Sequence, residues 1–187
     1  MNTLFFITRV LTFFGSVLRC FSEFIVCRLF KLPIEDARCF KTDEMCSHIE
    51  HELAEKTSHA FLLCFLPFII NLCLGSCFLL YSSYFIFYAG VVSLTDVIML
   101  IIGISLYSNL FPSVENVLSL KDHIYSADSN TAVKIILAPF TYFMLAGAYL
   151  EKFSITVITS ITAAIAFPFV TAPIIGVLAK IMMEIRS

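Results

Sequence analysis

The chain has 187 residues, of which 59% are hydrophobic and 14% charged, with a mean hydropathy of +0.93. So little polar surface cannot enclose a water-soluble core of this size, and the composition is that of an integral membrane protein. A net charge of -2 supplies no basic stripe for phosphates, which excludes nucleic acid and leaves the lipid bilayer as the expected partner.

The first nine residues begin like a signal peptide, but Arg9 interrupts the apolar run and no small-x-small cleavage pattern follows, so the segment is read as retained. A first spanning helix is predicted over residues 10–30, long enough at 1.5 Å per residue to cross a hydrocarbon layer of roughly 30 Å. Arg19 and Glu23 sit in its middle. Four residues apart, they share one helix face, and ions at such depth persist where they pair, face other helices or serve a site. The spacing leaves two readings open: a mutually neutralising structural pair, or the remnant of a polar site.

Residues 31–59 reverse the composition, with Lys31, Glu35, Asp36, Arg38, Lys41, Asp43, Glu44, Glu50, Glu52, Glu55 and Lys56 forming a polar loop. No Asp, Glu, Lys or Arg follows until Asp96. That tract divides into a second helix over 60–81, which Pro67 should kink, and a partly embedded connection. The third helix is expected over 97–110, with Asp96 suited to the positive end of its dipole, and Phe111-Pro112-Ser113 stops it. Residues 114–126 mix Val117, Leu118, Leu120 and Ile124 with Glu115, Lys121 and Asp122, the pattern of an amphipathic helix lying on a surface. Later helices are placed at 132–150 and 153–179, with Glu151-Lys152 in the turn between them. Pro139, Pro168 and Pro173 require only kinks supported by neighbouring helices.

The expected fold is therefore all-α, a single polytopic membrane domain of about five spanning helices. Arg28, Lys31, Arg38, Lys41, Lys56, Lys121, Lys134, Lys180 and Arg186 fall on one side, against Arg9 and Lys152 on the other. This asymmetry puts the amino terminus outside and the carboxyl terminus in the cytoplasm.

Seven scattered cysteines suggest no disulfide framework. Cys20, Cys27, Cys64, Cys73 and Cys77 lie in apolar runs where the thiol acts as a small hydrophobe, leaving Cys39 and Cys46 as candidates for redox or metal chemistry. The loop stretch Cys46-Ser47-His48-Ile49-Glu50-His51-Glu52, with His59 downstream, gathers transition-metal ligands without zinc-site spacing, and a solvated loop accounts for it. His123 could act as a general base, although a solvated histidine on a surface helix is the plainer account.

The order of Lys31-Leu32-Pro33-Ile34-Glu35-Asp36-Ala37-Arg38-Cys39-Phe40, His48-Ile49-Glu50-His51-Glu52, Pro67, Gly103-Ile104-Ser105 and Phe111-Pro112-Ser113-Val114-Glu115-Asn116 resembles small prokaryotic membrane proteins related to site-2 proteases. The likeness covers residues 15–116. It implies a three-helix core and the cytoplasmic membrane of a prokaryote. In that family a His-Glu-x-x-His pentad on the first core helix supplies two zinc ligands and a general base, and an acidic third ligand follows the third core helix.

Aligned by the downstream Leu-Pro-Ile-Glu-Asp match, the pentad falls on Arg19-Cys20-Phe21-Ser22-Glu23 and the acidic ligand on Asn116. A guanidinium offers only donors, a cysteine is no carboxylate base and an amide is a poor exchange for an anion. The resemblance thus implies the fold while these residues argue against the reaction. The expectation is a non-catalytic scaffold or regulator that binds membrane segments and holds no cofactor. The alternatives are an active zinc protease with ligands from Glu23, His48, His51 and His123, or a small transporter or channel with Arg19 and Glu23 in its path.

Overall fold

A computed structural model describes residues 3–41, 46–51, 56–90, 92–126 and 131–186. Helix α1 (Thr3–Leu29) is followed by strands β1 (Ile34–Lys41) and β2 (Cys46–His51), then α2 (Thr57–Ser83), which continues as a π-helical turn (Tyr84–Tyr88). Helices α3 (Leu94–Ser108), α4 (Val114–Tyr125), α5 (Thr131–Lys152) and α6 (Ile155–Arg186) complete the described chain. It is mostly helical. Two helices, Thr57–Tyr88 and Ile155–Pro173, are long and apolar enough to cross a bilayer by length and composition, and α3 is apolar but shorter.

The structure corrects the polar loop expected over 31–59. Its strands pair as an antiparallel hairpin in which Ile34 lies opposite His51, Ala37 opposite Ile49 and Arg38 opposite His48, and the hairpin packs against α1. Ile49 is buried, and Leu32 and Ile34 meet the core at the foot of α1. These few apolar residues fold the segment back, although charge dominates its composition.

The helix at 114–126 is corrected in a different respect. Its predicted bounds hold to within a residue, but its stripe of Asn116, Val117, Leu120 and Ile124 is buried against α2 and α5 instead of facing a membrane surface. At its far end the Tyr125 hydroxyl donates to Tyr142 of α5, and this bond holds the phenol above its ordinary pKa.

Two apolar clusters flank a polar level. Val26, Cys64, Phe68, Leu120 and Met144 belong to the larger, and Leu79, Ile104 and Ala164 form the smaller. Between them Asn71 Nδ2 donates to the Asn109 carbonyl at 2.6 Å, while Asn109 Nδ2 donates to the Thr12 and Ser105 carbonyls at 2.8 and 3.0 Å. Thr156 Oγ1 donates to the Ser108 carbonyl at 2.9 Å, tying α6 to the end of α3. Other buried hydroxyls turn back onto their own helices: Ser22 donates to the Leu18 carbonyl and Ser82 to that of Phe78. Back-bonding of this kind satisfies a hydroxyl where water does not reach.

Asp96 performs the terminal role expected of it, in the first turn of a helix that starts three residues earlier than predicted. Ser93 Oγ accepts from the Asp96 N–H at 3.2 Å and Asp96 Oδ2 accepts from the Ser93 N–H at 3.1 Å, a closed capping box. Ser93→Ala is expected to cost about 1 kcal/mol, read as a lower unfolding midpoint in detergent. An unchanged midpoint would show that the box contributes nothing.

Candidate functional site

The helix formed by α3 ends at Ser108, and Pro112, which has no N–H to donate, keeps the connection to α4 irregular. The backbone of Phe111 is therefore left with a donor and an acceptor inside the protein. Both are met by charged side chains from other helices. Arg19 Nη1 of α1 donates to the Phe111 carbonyl at 3.0 Å, and the Phe111 N–H donates to Glu151 Oε2 of α5 at 3.2 Å. Arg19 Nη1 also forms an ion pair with Glu151 Oε1, closing a clasp around the backbone of one residue.

Each charged side chain of that clasp is less than one-fifth exposed. Arg19 and Glu151 line a cavity of about 190 Å³ together with Pro112, Ser113, Val114, Ala148 and Lys152. Ser113 caps α4, its Oγ accepting the Asn116 N–H at 3.3 Å. The clasp thus holds the break between α3 and α4 beside the end of α5.

The structure gives Arg19 a partner that the spacing within α1 did not suggest: an ion pair crosses to Glu151 on α5. Glu23 is buried one turn further along α1, on the same face. Asn116 is also buried, in the first turn of the helix that Ser113 caps. The structure therefore brings Arg19 to the amino-terminal end of the helix that carries residue 116.

Cys20 is corrected too. It is disulfide-bonded instead of serving as a free small hydrophobe, whereas Cys27, Cys64, Cys73 and Cys77 are free. His48 and His51 occupy positions on β2, and their side chains, with those of Cys39 and Cys46, lie outside the described residues, as does Glu52. His123 lies in the last turn of α4, at the opposite end of that helix from the Arg19 cavity. His59 stacks on Phe30 with ring centroids 4.0 Å apart. Among the described residues, no three His, Cys, Asp or Glu side chains are gathered closely enough to hold a metal ion.

Sequence reasoning placed Glu151 in a turn and missed its part in the clasp. A signal was available. An acidic group in the last turn of a helix faces the negative end of the dipole, so a carboxylate there points to a compensating cation from elsewhere. Asn71 and Asn109 were missed for a different reason: an uncharged amide in an apolar run gives no sign of which backbone it will meet.

Comparison with protein-family models, curated proteins and solved structures finds no match to this chain.

Proposed function

We propose that this chain is a non-catalytic integral membrane protein, on a helical core resembling that of site-2 proteases, which holds or regulates other membrane-spanning segments. The position of Arg19 carries the reading. Where the resemblance places the first zinc-binding histidine stands a guanidinium whose donors are engaged by Glu151 and the Phe111 carbonyl. A cation in that position opposes a divalent metal by charge and cannot ligate it.

The membrane assignment draws support from the apolar surface. Ile135, Ile136 and Phe153 are each 71% exposed and Ile158 is 67% exposed, side chains that belong against acyl chains. On this reading α1, α2, α3, α5 and α6 cross the bilayer, with the amino terminus outside. A groove of about 370 Å³ lined by Phe14, Leu18, Phe21, Leu74, Phe78 and Leu106 would receive a partner's apolar segment.

Metal analysis of the purified protein tests the proposal. The expected result is zinc far below one equivalent, unchanged when His48 and His51 are replaced by Ala. Near-stoichiometric zinc that disappears in that variant would overturn the proposal in favour of a metalloprotease with unconventional ligands.

A further inference from the structure

At the far end of α2, three of the seven tyrosines fall within eight residues. Tyr81 and Phe85 have ring centroids 4.9 Å apart, Tyr84 and Phe85 5.6 Å, and Tyr84 and Tyr88 5.3 Å, so the π-helical turn gathers four rings into one cluster. Tyr81 and Tyr88 are more than half exposed. Beyond them Ala89, Gly90, Val92 and Ser93 are exposed and outside any helix.

Length fixes where such a cluster can lie. The apolar helix Thr57–Tyr88 has 32 residues, or about 48 Å at 1.5 Å each, against a hydrocarbon layer of roughly 30 Å. Irregular backbone exposed to lipid is not tolerated inside that layer, because its N–H and C=O groups find no partner there. The turn that holds Ala89, Gly90, Val92 and Ser93 must therefore reach headgroups or water. The rings immediately before it then meet the boundary, where an aromatic body with a hydroxyl tip is at home. No Asp, Glu, Lys or Arg between residues 57 and 95 offers a competing anchor, and the first carboxylate, Asp96, is buried and held by Ser93.

We propose that Tyr84, Phe85 and Tyr88 form a lipid-binding collar seated between the acyl chains and headgroups, with the exposed residues that follow Tyr88 in the aqueous phase. This rests on the membrane reading above and adds the depth at which one end of the bundle is held. The partner is the interfacial layer of the bilayer itself.

The chain contains no tryptophan, so a single introduced indole reports its own depth. Tyr88→Trp, Phe87→Trp and Leu80→Trp would be reconstituted separately in phosphatidylcholine vesicles whose acyl chains are brominated near either the glycerol or the methyl end. Residues 87 and 88 are expected to lose most fluorescence to the shallow bromines. Leu80→Trp, about 12 Å deeper by helical rise, is expected to lose most to the deep ones. Quenching of Leu80→Trp by deep bromines, with residues 87 and 88 also quenched most from the deep position or only by aqueous iodide, would overturn the collar alone. Indifference of all three to brominated lipid would overturn the membrane reading itself.

Discussion

Arg19→Leu is expected to destabilise the protein by about 3–5 kcal/mol, because it strands the Glu151 carboxylate in a site less than one-fifth exposed. The same change leaves the Phe111 carbonyl without its donor. Unfolding in detergent, followed by helical circular dichroism, should show the loss as a lower midpoint. Arg19→Leu/Glu151→Leu should recover part of it, since the Glu151 carboxylate is then no longer buried without its cation. The sign of that recovery is diagnostic. If the clasp is structural, the double variant melts above the single one; a single variant that melts with the parent protein would refute the clasp.

Gly15→Ala is expected to cost about 3 kcal/mol through overpacking. A methyl group there lands on the Ser105 carbonyl oxygen, 2.7 Å from the Ser105 carbonyl carbon and 2.8 Å from Asn109 Nδ2. Backbone on one side and a twice-bonded amide on the other cannot both yield. Separating α1 from α3 would also break the bond from the Gly15 N–H to Ser105 Oγ at 2.9 Å and the bond from Asn109 to the Thr12 carbonyl. Gly90→Ala is the informative contrast: its added carbon meets nothing within 4 Å, and only the left-handed backbone, at φ +67°, opposes it. That strain is worth about 1–2 kcal/mol. Comparing the two midpoints checks the argument, and a Gly90→Ala variant less stable than Gly15→Ala would contradict it.

The helical part of the fold was legible because apolar runs, the break at Phe111-Pro112-Ser113 and the charge of Asp96 at a helix start are local signals. The hairpin was not. Its strands carry Glu35, Asp36, Arg38 and Glu50 among few apolar positions, so charge density hid the pairing of Ala37 with Ile49. At the site, the sequence exposed Arg19 as an anomaly and supplied Glu23 as the partner suggested by four-residue spacing. The structure adds Glu151, 132 residues distant. Such a pair depends on how α1 and α5 come together, which no periodicity within α1 encodes. Cys20 illustrates the same limit, since an apolar neighbourhood in sequence says nothing of the sulfur it will meet.

That separation bears on biogenesis. A ribosome working at roughly 5–20 residues per second needs about 7–26 s to deliver Glu151 after Arg19 has emerged. Throughout that interval the Arg19–Glu151 pair is open, and Glu23, the single acid within α1, is the nearest carboxylate in sequence. A nascent chain halted before residue 151 therefore lacks the carboxylate that ties α1 and the Phe111 backbone to the end of α5.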